Sequence, residues 1–127
     1  MARILIVDDD AGVRDVLRRI LVREGHEVTE EPDGQQALRA LKASDTVLPD
    51  VIITDVYMPE MDGIEFLIHL SEVAPGIPTI TTSGGGLLGD ANVLGDTRHF
   101  GAVATLPKPF TSSDVRQVLT QVLPEGT

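Results

Sequence analysis

The sequence predicts an α/β domain in which a parallel sheet of five strands carries helices on both faces. Three observations point there. Short apolar runs alternate along the chain with segments of helical periodicity. Most of these runs are nearly continuous in Ile, Val and Leu, the pattern of strands buried on both sides. Four of them end in residues able to do chemistry, at the edge where open parallel sheets bind ligands.

Each element has its own signal. Residues 3–7 (RILIV) read as a short buried strand. From Asp10 the period becomes helical, with Val13, Val16, Leu17, Ile20 and Leu21 on one face, and Gly25 stops the helix. His26 to Glu30 alternate as a second, more exposed strand; Pro32-Asp33-Gly34 turns the chain; Ala37, Leu38 and Leu41 mark a second helix. Val51 to Thr54 form the third strand. A third helix after Asp62 carries Phe66, Leu67 and Leu70 and ends at Pro75-Gly76, and Ile77 to Thr82 form the fourth strand. The fourth helical segment, residues 87–99, is weak, because Gly84, Gly85, Gly86, Gly89 and Gly95 surround or enter it and a helical Gly costs about 1 kcal/mol relative to Ala. Ala102 to Leu106 is the fifth strand. Thr111-Ser112-Ser113-Asp114 then caps a last helix with Val115, Val118, Leu119, Val122 and Leu123 on its stripe, ended by Pro124. With no internal repeat, low-complexity run or linker, residues 1–127 read as one domain.

Composition excludes several functions. Only three Phe and one Tyr are present, so the core is aliphatic. The absence of cysteine excludes disulfides and thiolate metal sites and fits a reducing cytoplasm. Ile4 to Val7 is too short for a signal peptide or membrane span and runs into three acids. A net charge of -10 repels nucleic acid and anionic membranes. Arg14, Arg18, Arg19 and Arg23 share the first helix and the other cations are scattered, so neither direct nucleic-acid binding nor membrane binding is expected. Gly84 and Gly89 have the first spacing of a P-loop, but Asp90-Ala91 stand where Lys and Ser/Thr are required. His26, His69 and His99 lack a metal-ligand pattern.

The strand ends are informative. Asp8, Asp9 and Asp10 follow the first strand, Asp55 the third, Ser83 the fourth and Lys108 the fifth, and a parallel sheet brings such ends together. Clustered carboxylates repel one another unless a cation sits among them. Mg²⁺, which keeps several waters and uses one or two carboxylates plus phosphate, suits such a site, while Lys108 and Ser83 could hold phosphate oxygens. A carboxylate is also a nucleophile toward phosphorus, and Asp55, ending the middle strand, is the central candidate. Each residue alone has a plainer reading: Asp9 or Asp10 as a helix N-cap, which is the role expected of Asp10, Asp55 as a turn residue, Lys108 as a solvated cation, Ser83 as loop. The coincidence at four strand ends favours the chemical reading. Asp55 followed by Tyr57 misses the second acid of haloacid-dehalogenase-type phosphatases.

VDDD at 7–10, TDVYMPEMDG at 54–63, Thr82-Ser83-Gly84 and KPF at 108–110 together resemble the receiver domain of two-component response regulators, over essentially the whole chain. The resemblance implies a flavodoxin-like (βα)5 sandwich with strand order 2-1-3-4-5. It implies that Asp55 accepts a phosphoryl group from a sensor histidine kinase or histidine phosphotransfer protein. Asp8 and Asp9 would form the acidic pair around Mg²⁺, with Mn²⁺ as the alternative ion, and Asp9, Asp55 and the Tyr57 carbonyl would be direct ligands. Ser83 would be the switch hydroxyl, Lys108 the phosphate-binding lysine, and Lys108-Pro109 a cis peptide.

The resemblance also implies the output. Phosphorylation would draw Ser83 inward, with Gly84 leaving room for the phosphate, and would remodel the face made by the fourth helical segment, the fifth strand and the last helix, where a downstream protein docks. Thr105 stands where many receivers place an aromatic residue, so movement of Gly84 to Gly95 is expected to carry the switch instead. Tyr57 and Gly85 would flank the path of attacking water. The protein is expected to be a cytoplasmic signalling domain rather than an enzyme, catalysing only its own phosphoryl transfer and autodephosphorylation, and a monomer or weak phosphorylation-dependent dimer. Ending at Thr127, it reads as a single-domain regulator; the alternatives are the excised receiver of a longer DNA-binding regulator, a Mg²⁺-dependent phosphohydrolase and a phosphate-independent scaffold. Kinase specificity would sit on the surface of the first helix.

Overall fold

The computed structural model describes residues 2–43, 45, 47–55, 63–83 and 102–123, with the backbone alone for Gly63, Ile64, Ser83 and Ala102. Five strands, β1 (Arg3–Val7), β2 (Glu27–Glu31), β3 (Val51–Asp55), β4 (Thr79–Ser83) and β5 (Ala102–Pro107), pair in parallel in the order β2-β1-β3-β4-β5. This is the order that the resemblance implied. Four helices are described: α1 (Ala11–Arg23), α2 (Gly34–Lys42), α3 (Gly63–Val73) and α4 (Ser112–Val122). The weak segment 87–99 lies outside the described residues.

Strand periodicity sorts the side chains into two cores. Ile4, Ile6, Val51, Ile53, Ile80, Ala104 and Leu106 meet Leu17 and Leu21 of α1 and Val115 and Leu119 of α4. Leu5, Val7 and Ile52 point the other way, against Ala37, Leu38 and Leu41 of α2 and Phe66, Leu67 and Leu70 of α3. Alternate residues of one strand thus serve opposite layers, which is why the central strands are apolar throughout. The nine-residue α2 is too short to persist alone. Its buried Leu38 and Leu41, each contributing roughly 1.5–3 kcal/mol, hold it to the sheet.

The caps follow the sequence closely. Asp10 accepts N–H bonds from Gly12 and Val13 at the start of α1. Asp33 caps α2, and Thr111 with Asp114 forms a reciprocal capping box on α4. Gly25, at φ 92°, takes the left-handed conformation that closes α1.

Several boundaries differ from expectation for identifiable reasons. β2 begins at Glu27 because the His26 N–H is used by the Leu21 carbonyl at the end of α1. β4 begins at Thr79 because Pro78 has no N–H for the ladder; its carbonyl accepts from Ile52. β3 and β5 each run one residue further, to Asp55 and Pro107, and α4 ends at Val122, with Pro124 outside the described residues. Val16, expected on the core stripe of α1, is 49% exposed: Leu17 and Leu21 are the buried residues, with Val13 and Ile20 packed partly buried against the same core. Edge strand β2 exposes Glu27, Thr29 and Glu30, and the two glutamate charges discourage pairing with another sheet edge. No helix among the described residues is long and apolar enough to cross a membrane.

Candidate functional site

Register builds the site. Val7 pairs with Thr54, so Asp8 and Asp55 emerge side by side; Asp55 pairs with Thr82, and Ser83 with Pro107, directly before Lys108. One carboxylate oxygen each from Asp8, Asp9 and Asp55 lie within 4.8 Å of one another. Asp8 and Asp55 are buried, at 1% and 6% exposure, while Asp9 is open to solvent. Lys108 Nζ reaches into this cluster, 3.1 Å from Asp8 Oδ2 and 3.6 Å from Asp55 Oδ1.

The electrostatics are unbalanced. Two carboxylates at this spacing repel by on the order of 3 kcal/mol at an effective dielectric of about 20. Among the described residues three carboxylates face one ammonium, an excess of negative groups that a divalent cation suits. The donor set is oxygen only, and the exposed Asp9 leaves a side on which a cation keeps its waters. Both features suit a hard ion such as Mg²⁺.

The surrounding chain fixes the acids. Asp8 Oδ1 accepts the Asp10 N–H at 2.8 Å and Oδ2 accepts from Lys108. The Asp8 N–H donates to the Glu31 carbonyl at 3.2 Å, and its own carbonyl accepts from Arg14 Nη1. At the end of β3 the buried Thr54 hydroxyl donates to the Asp55 carbonyl at 3.1 Å, and the Thr82 hydroxyl to the Thr54 carbonyl at 3.5 Å. Asp10, spent on capping α1, stands outside the acid cluster, as its reading as an N-cap required.

Of the residues singled out in the sequence, Asp8, Asp9, Asp55 and Lys108 are brought together. The Ser83 backbone ends β4 between them, but its side chain lies outside the described residues, as do Tyr57, Gly84, Gly85 and the segment to Gly95. Lys108-Pro109 is cis. Thr105 sits half-buried on β5, paired with Thr81. His26 has a structural role: its Nδ1 accepts the Ala2 N–H at 3.0 Å. An open groove beside the acids is lined by Asp10, Gly12, Val13, Val16, Lys108 and Phe110, together with Pro109. The sequence reading missed Arg14 and Thr54. Arg14 was seen only as a helix cation, and nothing in the order of residues reveals that it reaches back to Asp8.

Among the described residues, an acidic cluster with a lysine lies at the carboxyl edge of a 2-1-3-4-5 sheet, the edge at which open parallel sheets bind ligands. A sequence model for the response regulator receiver domain matches residues 4–120, and the chain belongs to that family. It is 30% identical to sporulation initiation phosphotransferase F of Bacillus subtilis, over 96% of this chain and 94% of that protein. It is 32% identical to the transcriptional regulatory protein GlrR of Escherichia coli, covering 98% of this chain but 27% of that longer protein. Its fold is similar to that of the chemotaxis protein CheY4 of Vibrio cholerae, with a TM-score of 0.81, 30% identity and coverage of 97% of this chain and 99% of the other.

Proposed function

We propose that Asp55 is the phosphoacceptor of this receiver, taking its phosphoryl group from the phosphohistidine of a sensor histidine kinase or histidine phosphotransfer protein. The observation that carries the reading is the position of Asp55: buried at a strand end, within 4.8 Å of two further carboxylates and 3.6 Å from Lys108 Nζ. An Asp55 carboxylate oxygen forms the new bond to phosphorus while the P–N bond to the donor imidazole breaks, its electron pair staying on the ring nitrogen. Lys108 would take a phosphate oxygen in exchange for its carboxylate partners, a role supported by its nearness to Asp8 and Asp55. Asp8, Asp9 and Asp55 would hold Mg²⁺, or Mn²⁺, with the Tyr57 carbonyl as a further ligand; the bound ion supplies charge neutralisation for the transferring group. Asp8, tied by Asp10 and Lys108, orients the cluster, whereas the exposed Asp9 offers its carboxylate to an incoming ion.

The donor would approach over the groove of Val13, Val16, Pro109 and Phe110, which opens beside the acids and explains an exposed valine on α1. Ser83 would act as the switch hydroxyl, with Gly84 giving space. A downstream protein would dock on the face of β5 and α4, where Val103 is 52% exposed, with Thr105 on the same strand. Residues 1–127 would act as one receiver domain in the cytoplasm, a signalling unit that turns over only its own acyl phosphate. An output domain in the same polypeptide is the second form of this reading, favoured by the match to part of GlrR; the length of the reading frame decides between them.

Intact-mass spectrometry after incubation with acetyl phosphate and Mg²⁺ tests the assignment. One added phosphoryl group is expected, absent without the cation and absent in Asp55→Asn. An adduct that persists in Asp55→Asn would move the acceptor elsewhere. No adduct in the parent protein, together with no binding of beryllofluoride, would overturn the reading.

A further inference from the structure

We propose that Arg14 is a positioning residue for the acid cluster: its guanidinium fixes the peptide group joining Asp8 to Asp9, and Glu30 of β2 holds that guanidinium in place. The proposal rests on the reading of Asp8, Asp9 and Asp55 as cation ligands. Arg14 lies in the first turns of α1, and a helical side chain runs back toward the N-terminus of its helix, here over the Asp8–Asp10 turn. Its Nη1 donates to the Asp8 carbonyl and its Nε lies 3.3 Å from Glu30 Oε1. The Arg14 side chain is 18% exposed, against 71% for Arg19 on the same helix, so it is not a solvated surface cation.

The need for such an arm follows from burial. Asp8 and Asp55 are held by the walls around them, but Asp9 is exposed, and the direction of its carboxylate depends on its backbone. The peptide group preceding Asp9 carries the Asp8 carbonyl, so a bond that pins this oxygen pins the orientation of Asp9 as well. Asp8 is gripped from the same side through its N–H, which donates to Glu31 of β2. Glu30 has a second partner, Arg18 Nε at 3.3 Å, and is thereby held between two arginines. Charge explains why an arginine needs a carboxylate there. A permanent positive charge beside the cluster opposes cation binding, and pairing with Glu30 lets Arg14 donate its hydrogen bond with that opposition reduced.

The test is a Mg²⁺ titration by calorimetry of the full chain and of Arg14→Ala, Arg14→Lys and Glu30→Gln, with urea unfolding of each cation-free protein alongside. Loss of a residue that orients metal ligands weakens affinity by about tenfold or more, and that is expected of Arg14→Ala. Arg14→Lys should recover part of the loss, because one ammonium reaches the carbonyl or Glu30 but lacks the fork to hold both. Glu30→Gln should weaken binding in the same direction. A purely structural arginine would shift the unfolding midpoint and leave affinity unchanged, and unchanged affinity in Arg14→Ala overturns the proposal. If Arg14→Ala does not fold, parent-like affinity in both Arg14→Lys and Glu30→Gln overturns it equally. A parent protein that binds no Mg²⁺ overturns the cation reading and this proposal with it; affinity in the parent that survives in the variants overturns the proposal alone.

Discussion

Lys108 Nζ donates to Asp8 Oδ2 across 3.1 Å, although the two residues stand 100 positions apart in the chain. The pair spans the sheet from the end of β1 to the loop after β5, and it lies over Asp55. Asp8 is 1% exposed, so its charge depends on this partner and on the Asp10 N–H. Truncating the lysine leaves a buried carboxylate short of one partner. Lys108→Met should destabilise the cation-free protein by roughly 1–3 kcal/mol, read from urea unfolding. Millimolar Mg²⁺ should restore part of that loss, since the ion supplies the missing positive charge.

Removing one acid should have the opposite sign. Asp55→Asn relieves two repulsions of on the order of 3 kcal/mol each and forfeits one attraction to Lys108 of similar size. The net expectation is a cation-free protein more stable by about 1–3 kcal/mol, with much weaker Mg²⁺ binding. Equal or lower stability of Asp55→Asn in chelator would show that the lysine already balances the cluster.

Cation removal should be visible without any mutation. A ligand that binds only the folded state at about 100 times its Kd stabilises by about 2.7 kcal/mol. Thermal unfolding of the parent protein should therefore fall by several degrees on adding chelator. The shift should vanish in Asp55→Asn.

His26 gives the fold a pH dependence. Burial is the leading cause that lowers its pKa, and its Nδ1 accepts the Ala2 N–H, which only the neutral ring can do. A lowered folded pKa means a contribution present above the ordinary imidazole range and lost as pH falls through the folded value, below about 6.5. Unfolding free energies between pH 7.5 and 5 should drop more steeply in the parent than in His26→Gln. Parallel slopes would remove His26 from the account.

Phe66 tests the second core. It is fully buried among Leu5, Val7, Leu38 and Ile52. Phe66→Ala should cost roughly 3–5 kcal/mol. A conservative Phe66→Leu should cost far less, by the same urea measurement.

Much of this protein is local and was therefore legible in the order of its residues. Apolar runs, helical stripes and capping residues such as Asp10 and Thr111 depend on neighbours a few positions away, and the two caps appeared where expected, while Asp33, read as a turn residue, also caps α2. The types of residue at the strand ends were legible too, so Asp8, Asp9, Asp55 and Lys108 could be named together. That a parallel sheet brings these strand ends together was legible as well; the distances between them were not, because they depend on register: Val7 against Thr54 and Ser83 against Pro107 are pairings between strands whose alignment follows from packing both faces at once. The same holds for Arg14, whose partners Asp8 and Glu30 lie on two different strands, and for Val16, left exposed because Leu17 and Leu21 fill the core side of α1. By itself the sequence determined the elements, the layers and the chemistry available at the sheet's edge. Only the tertiary structure decided which of those charges meet and at what distance, because that energy exists only once the strands are side by side.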